Sequence, residues 1–308
     1  MAQQRFEDLG IGTKAAESRV RLLNRDGSFN VHRRGLPFLS WFSGYHYLIS
    51  IPWWKFSVLI FLAYVFINAC FGGIYLLIGT DGLSGIDGHT IAERYLESIF
   101  FSTQTFTTVG FGRIAPVGMG SNIVAAFESL TGLLSFALAT GLLYGRFSRP
   151  VAKLIFSHHA IVAPYENITA FMFRVANQRT NQLIDINAKV TLSRRETGPD
   201  GKLARKFYPL ELERKSVTFF HLSWTVVHPI NEQSPLYGVN EQQLDESDAE
   251  FLILMEAFDD TFSQNVHTRT SYKDHEVVFG QKFKSIIRIG SDGVTEIDLD
   301  KIHDYEKA

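Results

Sequence analysis

Between Phe56 and Ile78 the chain runs 23 residues without a charged side chain, and Asn68 is its strongest polar interruption. As a helix at ~1.5 Å per residue this stretch is about 34 Å long, enough to cross a ~30 Å hydrocarbon core with some tilt. Lipid offers no partners for backbone amides, so a crossing segment must satisfy them internally and is helical. Trp53, Trp54 and Lys55 stand where interfacial aromatics and a basic anchor belong. A second candidate span, Met119–Gly145, holds one charged residue, Glu128. Its small residues Gly132, Ala137, Ala139 and Gly141 suit close helix packing or bending.

Lysine and arginine counts orient the two spans. Arg5, Lys14, Arg19, Arg21, Arg25, Arg33, Arg34 and Lys55 come before or at the first span, and Arg146, Arg149 and Lys153 follow the second. Only Arg94 and Arg113 lie between them, so both termini are expected in the cytoplasm and the intervening segment outside. The chain is then a two-span protein of the cell's inner (plasma) membrane. The Asn167-Ile-Thr169 sequon falls on the inside and is a chance match. Residues 1–35 are polar and lack the apolar run of a secretory signal. Residues 36–54 mix aromatics with Ser, His and Gly and are read as an interfacial helix.

After the two-span segment of residues 55–153, the pattern changes from about Leu154 onward. Ile184, Ile186, Ala188, Val190 and Leu192 alternate with polar residues, giving one buried and one wet face of a strand. Shorter runs at 168–176, 217–228, 251–255, 277–279 and 283–289, separated by turn residues, predict an all-β sandwich over 154–308. Cys70 is the single cysteine, which excludes a disulfide framework and a CxxC site. The net charge of −2 argues against nucleic-acid binding. No catalytic constellation, Walker loop or metal spacing stands out, so neither an enzyme nor a resident cofactor is expected.

The segment between the spans carries the chemistry. Residues 91–106 have helical spacing and lead into Thr107-Thr-Val-Gly-Phe-Gly-Arg113. Two glycines flanking Phe111 in a bulky run suit a backbone whose alternate residues adopt glycine-tolerant conformations and whose carbonyls point one way. Thr108-Val-Gly-Phe-Gly112 is similar to the loop of potassium channels in which carbonyl rings replace the hydration shell of the ion. On that resemblance K⁺, the permeant ion, meets the carbonyls of Thr108, Val109, Gly110 and Phe111 at a loop closed by Gly112, with the Thr108 hydroxyl as a further ligand. Two spans cannot enclose an axial pore, so the motif implies a homotetramer.

The motif order, with Arg146-Phe-Ser-Arg-Pro150, Phe156-Ser-His-His-Ala-Ile-Val162, Arg174-Val-Ala-Asn177 and Ser234-Pro-Leu-Tyr237, resembles the inward-rectifier potassium channels, and specifically their prokaryotic branch. The resemblance implies a two-span pore with a pore helix and a cytoplasmic immunoglobulin-like β domain. It places Tyr144 at the inner-helix bundle crossing, Phe136 at the cavity position that is acidic in strong rectifiers, and Gly132 at a proposed hinge. It places Asp185 and Glu276 along the cytoplasmic pore. Lys55, Arg146, Arg149 and Lys153 are basic residues for anionic lipid, phosphoinositide included. Where many relatives carry a pore-helix Glu paired with an Arg past the filter, this chain has Gln104 and Arg113; Glu128 is the expected substitute carboxylate. His158 and His159 are read as structural, with pH sensing as the other option. Alternatives are a non-selective cation pore of the same build, or a β-sandwich binding protein tethered by the two spans.

Overall fold

The computed structural model describes residues 19–31, 44–148, 152–179, 181–198, 201, 203–220, 222–290 and 292–308. They form two compact units, one holding the helices of residues 35–149 and one holding residues 1–34 together with 150–308.

In the helical unit, α1 (Gly44–Ser50) is followed by α2 (Trp53–Ile78), α3 (Ile91–Phe106) and α4 (Gly118–Phe147). Helices α2 and α4 are long and apolar enough to cross a membrane. The interfacial helix is shorter than residues 36–54: among the described residues it covers seven positions. Trp53 and Trp54 instead open α2, because Pro52 (φ −53°, ψ 148°) cannot continue α1 and its fixed φ starts the next helix. Residues 36–43 lie outside the described residues. Thr90 caps α3 with a reciprocal box to Glu93, satisfying two of the orphan amides at its start. The short pair β1 (Leu83–Ser84) and β2 (Ala115–Pro116) joins the segments on either side of α3.

The unit is apolar outside and buries polar side chains beside an apolar cluster of Tyr75, Leu83, Phe101 and Ile114. Leu62, Phe66, Leu77, Leu134 and Leu138 are exposed, whereas Asn68, Ser102, Ser121 and Glu128 are buried. That is the pattern of helices solvated by lipid and by other helices rather than by water.

The second unit is a sandwich. Its strands are β3 (Leu154–Phe156), β4 (Ala160–Tyr165), β5 (Ile168–Asn177), β6 (Leu183–Thr197), β7 (Leu203–Leu210), β8 (Ser216–Phe220), β9 (Ser223–Ile230), β10 (Glu250–Asp259), β11 (Gln264–Lys273) and β12 (Val277–Phe279). One sheet runs β11-β10-β6-β7 with β8 also on β6; the other runs β12-β4-β5-β3 with β9 also on β5. Between them lie Phe171, Phe173, Ile186, Leu192, Trp224, Phe251, Ile253 and Tyr272. Small hairpin pieces follow: β13 (Gln281–Phe283) on β16 (Tyr305–Lys307), and β14 (Ile287–Ile289) on β15 (Thr295–Ile297).

Two sequence expectations change in detail. The run 217–228 is two strands, both in use but in different sheets, and 283–289 also divides. The alternation along β6 slips by one at Asp185, which has φ 49° and sits where the pairing with β10 shifts register. Leu183 therefore faces the core in place of Ile184, and the predicted phase resumes from Ile186.

The β unit also takes in part of the N-terminal segment. Residues 22–30 make a hairpin closed by the Leu23–Phe29 bridge, with Leu22 and Leu23 buried. The buried Glu250 carboxylate accepts from the main-chain N–H of Leu22 (2.8 Å) and of Leu23 (3.0 Å).

Candidate functional site

The loop after α3 hangs from one carbonyl. Gln104 O accepts from Val109 N at 2.9 Å and from Gly110 N at 3.3 Å, while Thr108 N donates to Thr105 O at 3.1 Å. In a trans peptide the C=O points opposite to the N–H of the next residue. The carbonyls of Thr108 and Val109 are thereby turned away from α3. The backbone alternates as the residue pattern requires: φ is 60° at Thr108, 55° at Gly110 and 80° at Gly112. A Cβ at Gly110 or Gly112 meets nothing within 4 Å, so it is conformation rather than space that calls for glycine there. All five residues 108–112 are exposed in the single chain. Gln104 thus acts on the loop through its main chain.

Arg113, just past the loop, pairs with Glu97 Oε1 (2.9 Å) and Asp87 Oδ2 (3.2 Å). Glu97 uses its other oxygen for the amides of Asp87 (2.9 Å) and Gly88 (3.0 Å). This corrects the expectation that Glu128 replaces a missing pore-helix acid. The pore helix does supply the carboxylate, two turns before Gln104. With Glu93 spent on its capping box, Glu97 was the remaining acid of that helix, which is the signal that could have found it.

Glu128 instead lies inside the helical unit. It accepts from Tyr75 Oη on α2 at 2.6 Å and bonds Ser102 Oγ on α3, which also lies 3.0 Å from Asn68 Oδ1. Asn68 Nδ2 donates to Tyr64 O at 2.8 Å. One buried polar chain thus ties α2 and α4 to the back of α3. The three helices also meet at glycines. A Cβ at Gly132 would lie 2.1 Å from Phe106 O, and one at Gly72 would lie 3.1 Å from Ile99 N. Gly132, expected as a hinge, is required here for close approach.

Phe136 and Tyr144 are exposed on α4, two turns apart. Arg146 is not free for lipid. Its guanidinium donates to Leu48 O (2.6 Å) and Ile51 O (2.7 Å), the end of α1, and lies over the rings of Trp53 (4.5 Å) and Phe56 (4.6 Å). Hydrogen bonds from a charged donor are worth about 1.5–3 kcal/mol each. Arg146→Gln is therefore expected to lower the melting temperature even in detergent without anionic lipid; an unchanged melting temperature would show that the contacts carry no stability. Lys55 and Lys153 are exposed, and Arg149 lies outside the described residues.

In the β unit Asp185 is exposed at its bulge, whereas Glu276 is committed. It pairs with Arg21 Nη2 (2.9 Å) and Arg25 Nε (2.8 Å) and accepts from Lys273 N (2.8 Å). Burial alone would raise its carboxyl, but the hydrogen bonds from Arg21 and Lys273 and the charges of Arg21 and Arg25 hold it below the ordinary range. What Glu276 brings to any cytoplasmic pore is a paired charge, in place of the free acid expected.

Residues 154–308 match the family described as "Inward rectifier potassium channel C-terminal domain", and residues 59–149 match that described as "Ion channel". The chain is 36% identical to the inward rectifier potassium channel Kirbac3.1 of Paramagnetospirillum magnetotacticum over 294 residues, covering 95% of this chain and 98% of that one. It is 26% identical over 318 residues to the human G protein-activated inward rectifier potassium channel 2, covering 93% of this chain and 72% of the relative. Its identity to the mouse G protein-activated inward rectifier potassium channel 4 is 25% over 326 residues, covering 96% of this chain and 75% of the relative. The two apolar helices, the pore-type loop and the β sandwich agree with these matches, and the chain belongs to the inward-rectifier potassium channel family, on the side of its prokaryotic members.

Proposed function

We propose that four copies of this chain form a K⁺-selective pore through which dehydrated ions pass along the main-chain carbonyls of residues 108–111. The observation that carries this reading is the pair of amides, at Val109 and Gly110, drawn back onto Gln104 O so that the preceding carbonyls face away from α3. With φ positive at every second residue from Thr108 to Gly112, four such loops supply stacked oxygen rings. The C-terminal end of α3, whose dipole is partly negative, favours a cation nearby.

The rest of the path follows from position. Both termini lie in the cytoplasm and the loop faces outward. Four copies of Tyr144 at the inner end of α4 make an apolar constriction that closes by excluding water, and the β unit moves it. Lys55, Lys153 and Arg149 are the contacts for anionic headgroups, each worth about 1 kcal/mol near a charged leaflet. Arg146 holds α1 to α4 and transmits the position of one to the other.

Phe136 offers a blocking cation no negative charge in the cavity. Block by internal Mg²⁺ or spermine is therefore expected to be weak and Phe136→Glu to make it strong, read as the voltage dependence of outward current. Strong spermine block in the parent chain, lost in Phe136→Ala, would refute this.

The direct test is Rb⁺ uptake into liposomes containing the purified chain, with and without anionic lipid. Ba²⁺-sensitive uptake supports the pore. No uptake under either lipid condition would leave a tethered β-domain protein as the better account.

A further inference from the structure

At the end of the chain the ring of His303 lies flat on that of His158, with centroids 3.5 Å apart and planes within 4°. The main-chain N–H of His158 donates to His303 Nδ1 at 3.2 Å. A ring nitrogen that accepts carries no proton, so this arrangement requires a neutral His303 with its hydrogen on Nε2. The carbonyl of the same residue, His158, accepts from Arg25 Nη2 of the N-terminal hairpin. Residue 158 thus joins segments from both ends of the chain on one unit.

We propose that His158 and His303 form an acid-released staple that fastens the C-terminal strand β16 to the β unit. A proton on His303 Nδ1 turns the acceptor into a second donor facing the His158 N–H. It also sets a cationic ring against its stacked neighbour and close to the Arg25 guanidinium. The groups around the pair favour that outcome. The N-terminal hairpin contributes Arg25, and the link between β3 and β4 contributes His158 and His159. From β11 comes the Tyr272 hydroxyl, which donates to Ser157 O at 2.7 Å. Glu276, which follows β11, is already neutralised by Arg21 and Arg25. Tyr305 packs edge-on to His159 at 5.7 Å, and the carboxylate beside His303 is that of Asp304.

Burial first, then the charges of His158 and Arg25, hold His303 below the ordinary imidazole value, against an opposing pull from Asp304. A ring whose docked value is depressed contributes its full stability above the undocked value of ~6.5 and loses it as the pH falls through the docked value. Release therefore comes on acidification. The hydrogen bonds that then open are those of β16 with β13, registered Gln281↔Lys307 to Phe283↔Tyr305, and Lys284 N to Asp304 O at 3.1 Å.

The test is amide hydrogen exchange of the full chain in detergent at about pH 8 and about pH 5.5, corrected for intrinsic rates. Protection over 281–284 and 303–308 is expected to fall at the acid pH by up to about tenfold, the limit set by a ring whose undocked value of ~6.5 lies one unit above about pH 5.5. His303→Asn keeps an acceptor near the Nδ1 position and gains no proton, so it is expected to stay protected at both pH values. His303→Arg is expected to be unprotected at both. Equal pH responses in the parent chain and His303→Asn would overturn the staple, and so would full protection of the parent at the acid pH. The Asn variant also separates this effect from titration of His228, whose ring is held by Glu211 O (2.6 Å) and Ser234 Oγ (2.8 Å) elsewhere in the sandwich.

Discussion

Gly132→Val will give a chain that inserts and assembles but passes no Rb⁺. A Cβ at this position meets Phe106 O at 2.1 Å, Phe106 C at 2.9 Å and Phe106 Cα at 3.1 Å. All three are main-chain atoms at the last residue of α3, so no side chain can swing aside to make room. Overpacking of this kind costs about 1–3 kcal/mol per site, and the strain is relieved only by moving the end of α3 away from α4. The loop amides hang from Gln104 O in the same helical turn, so the carbonyls at 108 and 109 move with it. Gly141→Val on the same helix is the control, since a Cβ there meets nothing within 4 Å. Parent-like flux in Gly132→Val would mean that the α3–α4 contact does not position the filter.

Glu128→Leu is the second large effect, and it separates from Glu128→Gln. Leucine removes the acceptor for Tyr75 Oη and a partner of Ser102 Oγ inside a unit where Glu128 and Ser102 are fully buried. Each orphaned buried group costs about 1–3 kcal/mol, whereas Gln keeps a carbonyl for Tyr75 and an amide beside Ser102. Ser102 Oγ keeps Asn68 Oδ1, so Tyr75 Oη is the group that loses its partner. At ~2–4 °C per kcal/mol for a chain of this size, the leucine variant should melt roughly 2–12 °C below the parent and the glutamine variant within a few degrees of it. The flux of the leucine variant should also lose selectivity, since α3 is held from behind by this chain of groups. Equal melting temperatures for the two variants would show that the buried network does not hold the helices together.

How far the fold could be read beforehand depended on whether the governing interaction was local. The span before Ile78 was legible because lipid forces a helix on an uncharged run of that length. The loop was legible because glycine at 110 and 112 marks positive φ, which the backbone shows. Most of β6 was legible from its period of two. The bulge at Asp185 was not, because Ile184 and Ile186 keep the same apolar phase whether or not the chain slips between them. The break between β8 and β9 escaped for a similar reason: an apolar run does not say which sheet each half joins.

Non-local pairings were hidden altogether. In the sequence Arg21 and Arg25 are two more cations in the count that orients the spans, yet their carboxylate partner Glu276 is 255 and 251 residues away. Glu250 reads as one more polar end of a strand, and nothing in the residues around it announces that it holds the amides of Leu22 and Leu23. By composition Arg146 sits at a membrane edge and reads as a lipid anchor; the fold shows the α1 carbonyls already occupying it. Glu128 reads as a partner for Arg113 because an isolated acid in a span invites pairing, but Arg113 pairs with Glu97. Here Tyr75 and Ser102 answer Glu128 without a cation.

The most direct measurement is the reversal potential of the reconstituted chain with K⁺ on one side of a bilayer and Na⁺ on the other. Ions that shed their water onto the main-chain oxygens of residues 108–111 give a potential near the K⁺ equilibrium value, abolished by Ba²⁺ and lost when Gly110 is replaced by Ala. A potential near zero, with Na⁺ carried as readily as K⁺, would contradict the account.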